Sequence, residues 1–284
     1  MDKKKIIASL NQDLKGEHAA IIQYLVHAYA VGEGETACEI EAIAREEMRH
    51  FDWLAETIAG LGGTPSIDRG EMRTGGKSVS EWMQNDVLQE EDGIALYEEH
   101  IKAIDIPKTK LLLKRILSDE KSHRGDFEHF VTKAKKEGLK DLRGSRRDKV
   151  VRTLNWGIEH EYTVILQYLL HSYMTPNKDA KKELDDQAIN EMQHLGWLSE
   201  KMVGKKGTPK IEHTRVDKST RTADMLRADI AIEKKVAAEY DRAAKGVKDS
   251  GLRELLTRIR DHELYHADIF SDLLKEEEGR GRKQ

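Results

Sequence analysis

Cysteine is almost absent from this 284-residue chain: Cys38 stands alone. One thiol excludes an intrachain disulfide, a zinc ribbon and a four-cysteine iron site, and it suits a reducing compartment. Proline is nearly as scarce, with 4 in the chain, and aromatic residues make up only 6%. No stretch approaches the roughly 20 apolar residues that span a bilayer. The basic start, Met1-Asp2-Lys3-Lys4-Lys5-Ile6, lacks the apolar run and cleavage site of a signal peptide. Neither sign of charge dominates: the formal net charge is −4, which makes no electrostatic case for nucleic acid. The expectation is a cytoplasmic protein with no nucleic-acid or membrane partner.

What is abundant is helix-forming material. Charged residues reach 35% and hydrophobic ones 38%, the balance of exposed amphipathic helices rather than sheet or disorder. Apolar positions such as Ile6, Leu10, Leu14, Ile21 and Leu25 recur at helical steps. Breaks fall at Gly32-Glu33-Gly34, at Gly62-Gly63-Thr64-Pro65 and before Pro107. Helices are therefore predicted over about 4–31, 36–61, 78–106 and 107–136. A long connection between the second and third is too long for a tight turn between neighbours.

The same plan recurs in the second half, over about 146–174, 178–203, 220–245 and 251–275. Even the Gly-Thr-Pro of 63–65 returns at 207–209. The expected organisation is all-α: a bundle over 1–136, a linker over 137–145, a second bundle over 146–275, and a charged, disordered tail over 276–284. Each half is long enough to bury its own core.

The repeat also carries metal-ligating residues. Glu17, Glu47-x-x-His50, Glu90 and Glu120-x-x-His123 are answered by Glu161, Glu191-x-x-His194, Glu233 and Glu263-x-x-His266. Residues three apart on a helix lie about 60° apart on one face, one turn from each other. Each Glu-x-x-His pair can therefore reach a single point, and four helices converging on one core can hold two metal ions. Mixed carboxylate–imidazole ligation suits Fe, Mn or Zn. Taken singly, any of these residues reads as a solvated charge or an ordinary histidine. The joint recurrence in register overturns that, because buried carboxylates without cations are costly.

Tyr24 and Tyr168 follow Glu17 and Glu161 by seven residues, on the same face. They are candidate catalytic residues, as hydrogen-bond partners or electron donors to the metals, or else core tyrosines. His27 and His171 lie off that face and read as ordinary, partly buried histidines. Trp53 and Trp197 read as packing, and Cys38 as inert.

On Glu17 with Gln23-Tyr24, Glu47-Met48-x-His50, Leu61-Gly62-Gly63-x-Pro65, Glu90 and Asp119-Glu120-x-x-His123, each half resembles bacterioferritin, within the ferritin-like di-iron carboxylate superfamily. The resemblance covers about 5–134 and 149–275. It implies two ferritin-like four-helix bundles in tandem, each with its long crossover between helices 2 and 3. It further implies two iron ions per bundle, four per chain, and Fe(II) oxidation by dioxygen or peroxide in iron handling and oxidative-stress protection. In that family the methionine of the Glu-Met-x-His motif ligates haem b across a twofold interface. Met48 and Met192 are the corresponding candidates, with the halves expected to pack about a pseudo-twofold axis.

Neither half shows a convincing apolar fifth helix of the kind that closes a cage, so the expected particle is a monomer or low homo-oligomer. A storage shell, a di-manganese catalase-like or substrate-oxidising enzyme on the same scaffold, and a purely structural bundle pair remain open from sequence.

Overall fold

The computed structural model describes residues 1–281 and divides into two compact units, Met1–Arg143 and Gly144–Gln284. The described residues form eight α-helices and no strand. The first unit holds α1 (Lys3–Val31), α2 (Glu35–Gly60), α3 (Val79–Ala103) and α4 (Pro107–Glu137). The second holds α5 (Lys149–Met174), α6 (Lys178–Gly204), α7 (Thr222–Gly246) and α8 (Ser250–Gly281). None of the described helices is long and apolar enough to cross a membrane.

Local chemistry explains where the helices start and stop. Asp2 caps α1 by accepting the Lys5 N–H at 2.9 Å. Ser78 caps α3 through the Glu81 N–H at 3.2 Å, while the Glu81 carboxylate reaches back to the Lys77 N–H at 2.7 Å. Pro107 opens α4, where its missing N–H costs nothing. Gly32 ends α1 at φ +85°, a left-handed conformation that side chains disfavour.

In each unit the helices pair through short turns, α1 with α2 and α3 with α4, then α5 with α6 and α7 with α8. The long connections, 61–78 and 205–221, carry the chain between pairs. The first is bound along α1: Ser66 N–H donates to Asn11 at 2.7 Å, Gly70 N–H to the Lys15 carbonyl at 3.0 Å, and Arg73 N–H to Gln23 Oε1 at 2.5 Å. This settled path explains why α1 is buried almost all round from Glu17 to Val31.

One expectation needs correction. The tail expected to be disordered from 276 continues α8 through Gly281; residues 282–284 lie outside the described residues. Its charges have partners: Glu277 accepts from Asn177 at 2.6 Å, Glu278 pairs with Arg227 at 2.5 Å, and Arg280 with Asp179 at 2.9 Å. The linker runs without helix from 139 to 148 and is bonded to the units it joins. Leu142 N–H donates to the Ala30 carbonyl at 2.8 Å and Arg143 lies 4.5 Å over the Trp82 ring, both within the first unit. In the second unit, Arg146 N–H donates to the Lys206 carbonyl at 3.1 Å.

Candidate metal centres

Each lone glutamate and each Glu-x-x-His pair projects from the middle of its helix into the bundle core. In the first unit, α1 brings Glu17, α2 brings Glu47 and His50, α3 brings Glu90, and α4 brings Glu120 and His123. All six are buried, Glu47 completely. They form two overlapping groups, Glu17–Glu47–His50–Glu120 and Glu47–Glu90–Glu120–His123, and within each group the donor atoms lie inside 4.8 Å of one another. Glu47 and Glu120 belong to both. The second unit repeats this with Glu161–Glu191–His194–Glu263 and Glu191–Glu233–Glu263–His266, sharing Glu191 and Glu263.

The histidines present Nδ1 to these carboxylates. His50 Nδ1 lies 2.8 Å from Glu47, 3.2 Å from Glu120 and 3.5 Å from Glu17. His123 Nδ1 lies 2.8 Å from Glu47. His194 Nδ1 lies 2.7 Å from Glu191 and 3.3 Å from both Glu161 and Glu263. His266 Nδ1 lies 2.7 Å from Glu191 and 3.4 Å from Glu263.

Four buried carboxylates in each unit meet only two imidazoles, and their protonation shows the strain. Burial, reinforced by the charges of Glu120 and Glu47, pushes Glu17 well above the usual carboxylate range. Burial does the same to Glu90, Glu161 and Glu233, in each case with neighbouring carboxylate charges adding to it. Glu120 is pushed up to about 7 by burial and the Glu47 charge. Burial would raise Glu47 too, but the close approach of the His123 and His50 imidazoles outweighs it and holds it low. Burial disfavours charged His123 and His266, yet the adjacent Glu47 and Glu191 carboxylates raise each to about 9.

The donor set fits a pair of divalent cations. Four carboxylates supply four negative charges. Glu17 Oε2, Glu47 Oε1, Glu90 Oε2, Glu120 Oε1 and His123 Nδ1 are buried without a formed hydrogen bond. So are Glu191 Oε1, Glu233 Oε1, Glu263 Oε1 and His266 Nδ1 in the second unit. Unsatisfied inward-facing donors clustered this way, with mixed oxygen and nitrogen chemistry, are what a metal pair would satisfy.

The ferritin-like domain matches the chain twice, over residues 7–136 and 151–279. This chain belongs to the ferritin-like family. Among its relatives, bacterioferritin from Desulfovibrio desulfuricans is 32% identical over 143 residues, covering 48% of this chain and 79% of the relative. The bacterial ferritin of a Synechocystis species is 29% identical over 146 residues, covering 49% of this chain and 94% of that protein. The solved structure of the Desulfovibrio desulfuricans bacterioferritin, described for its diiron site in different catalytic states, is 33% identical. It covers 47% of this chain and 82% of its own, with a TM-score of 0.44.

Around these ferritin-like clusters the tyrosines take distinct parts. Tyr24 donates to Glu90 Oε1 at 2.5 Å, crossing the core from α1 to α3. Tyr97 makes the reciprocal crossing, from α3 to Glu17. Tyr240 bonds Glu161 in the same way, whereas the buried Tyr168 hydroxyl has no hydrogen-bond partner. Tyr97 and Tyr240 escaped the sequence reading. A signal was there: each follows the lone glutamate of its own helix by seven residues, as Tyr24 follows Glu17.

His27 and His171, expected to be partly buried, are fully buried and paired. His27 Nδ1 lies 2.9 Å from Asp86, and Gln23 donates to the same carboxylate at 2.7 Å. His171 and Gln167 treat Asp229 alike, at 3.0 and 2.8 Å. Each glutamine also binds the crossover, since Gln167 Oε1 accepts the Asp217 N–H at 2.9 Å as Gln23 does that of Arg73. Gln23 and Gln167 thus join the crossover to the core, and in the first unit the next residue, Tyr24, reaches the cluster through Glu90. Met48 and Met192 are half-buried, each directly after a cluster glutamate on its helix.

Proposed function

We propose that each unit binds two iron ions at these clusters and oxidises Fe(II), giving four iron ions and two centres per chain. The observation that carries the reading is the sharing of Glu47 and Glu120, and of Glu191 and Glu263, between two overlapping donor groups. Glu47 and Glu120 would hold both metals of the pair, with Glu17 and His50 holding one and Glu90 and His123 the other. The relatives named bacterioferritin support iron as the substrate. Bound at such a site, paired iron supplies two one-electron steps; two Fe(II) together reduce dioxygen to hydrogen peroxide, or peroxide to water, with two protons.

The protein residues bind, orient and shield. Glu17, Glu90 and Glu120 would give up, on binding cations, the protons that burial holds on them. Tyr24 and Tyr97 fix one oxygen of Glu90 and of Glu17, leaving the other free toward the core. The fully buried walls, among them Leu14, Leu54 and Phe127, limit bulk water. Tyr24 and Tyr168 are proposed as residues that assist oxidation from beside the cluster.

Stopped-flow absorbance of anaerobically Fe(II)-loaded protein, mixed with dioxygen or peroxide, tests this directly. Oxidation no faster than in a variant lacking Glu47, Glu120, Glu191 and Glu263 would refute it. Manganese uses the same donors, and peroxide disproportionation by the manganese-loaded protein would favour that reading instead. Haem b on Met48 and Met192 is a separate proposal, read by a Soret band that Met48→Leu abolishes. Light scattering separates the proposed monomer or low oligomer from a storage shell.

A further inference from the structure

The two units carry the same inner donors but different outer partners on their histidines. In the first unit, His50 turns Nε2 toward the Asp119 carboxylate at 3.5 Å, and His123 Nε2 bonds Glu46 Oε2 at 2.8 Å. In the second unit, the residue matching Asp119 is His262, whose Nδ1 lies 2.9 Å from His194 Nε2. The residue matching Glu46 is Asn190, which donates to Gln187 at 2.7 Å. Arginine follows suit: Arg115 holds Asp119 at 2.9 Å, while its counterpart Arg258 lies 4.2 Å over the Trp197 ring.

Resting on the di-metal reading, we infer that the two metal centres are unequal, the first unit binding divalent metal more tightly because carboxylates, not neutral side chains, back its ligand histidines. Asp119, Glu46 and His262 act as positioning residues. A metal at Nδ1 requires a lone pair there, so the ring proton sits on Nε2 and is donated outward. A carboxylate accepting that proton increases the electron density of the imidazole and makes it a better ligand. An imidazole acceptor does so less. The His194–His262 bond also selects tautomers: His194 must donate from Nε2, so His262 must accept on Nδ1 and carry its own proton on Nε2. The nearby charge works in the same direction, since two carboxylates favour cations and most of all those of higher charge.

Losing such an outer partner typically changes metal affinity by about 10–100-fold. Asp119 and Glu46 are partly exposed and each is paired with an arginine, Arg49 holding Glu46 at 2.9 Å. Their effect therefore belongs near the lower end, about tenfold. Competition titration of the full-length, metal-free chain with Zn(II) against a chelator should resolve two classes of site. The Glu47→Ala/Glu120→Ala and Glu191→Ala/Glu263→Ala variants assign the classes to units.

Asp119→Asn and Glu46→Gln should weaken the first unit alone, Asp119→Glu should restore it, and His262→Asp should tighten the second. In the iron-loaded chain, His262→Asp should also shift the second unit's reduction potential downward, which a merely structural role would not do. Equal affinities in both units, or outer variants that leave affinity and potential unmoved, would overturn the inference. Failure of either unit to bind any metal would instead overturn the di-metal reading, and this inference with it.

Discussion

Removing the shared carboxylates of one unit tests the centre most severely. With Glu47→Ala and Glu120→Ala combined, each donor group of the first unit falls from four residues to two: Glu17 with His50, and Glu90 with His123. Its carboxylate charge is halved, and no bridge remains to hold two cations near each other. On the proposed reading each lost residue is a direct ligand, so affinity should fall by more than the roughly 10–100-fold that an outer partner is worth. The second unit has its own complete set. Metal content after reconstitution and desalting should therefore drop from four ions per chain to two, measured by elemental analysis against protein concentration. The rapid phase of Fe(II) oxidation should lose about half its amplitude while the remaining half keeps its rate constant. Circular dichroism and the loaded second unit together report that the chain is folded. Retention of four ions would refute the ligand assignment; loss of all four would refute the independence of the two centres.

Three further outcomes follow from the geometry. Metal-free protein should lose thermal stability as pH rises from about 5 to 9: Glu120, raised from 4.5 to about 7, and His123 and His266, raised from 6.5 to about 9, make the folded state hold more protons than the unfolded one across that window. Their contribution is complete below the unfolded values and gone above the folded ones. Melting curves showing greater stability at pH 9 than at pH 6 would contradict this, and metal loading should flatten the dependence. Tyr24→Phe should destabilise the metal-free protein by about 1–2 kcal/mol, through loss of a buried bond to Glu90, whereas Tyr168→Phe should cost under about 0.5 kcal/mol because its hydroxyl has no partner to lose. Equal losses in chemical denaturation would show the asymmetry to be false. Asn177→Ala should cost about 1 kcal/mol, since Asn177 Oδ1 accepts the Asp179 and Ala180 N–H groups and caps α6; an unchanged melting temperature would remove that cap from the account.

Much of this protein was legible in one dimension. Helix periodicity, the breaks at Gly32-Glu33-Gly34 and before Pro107, and the long connections placed eight helices close to where they lie. The Glu-x-x-His spacing put each pair on one face because three residues nearly complete a turn, a property of the backbone alone. The tail at 276–281 was misread for the opposite reason: its charges look unsupported in sequence, and their partners Asn177, Asp179 and Arg227 lie on other helices.

The sequence by itself determined which residues could bind metal, how many such sets exist, and that each set is distributed over four helices. Tertiary structure decided which carboxylates both donor groups share, because sharing depends on how far one helix is offset along its neighbour. It also decided that Tyr24 and Tyr97 cross to each other's glutamates, that Gln23 and Gln167 bind the crossovers, and that the ligand histidines back onto Asp119 and Glu46 in one unit and His262 in the other. Each of these is a contact between side chains dozens of residues apart, and its distance is set by packing between helices rather than by the period within one.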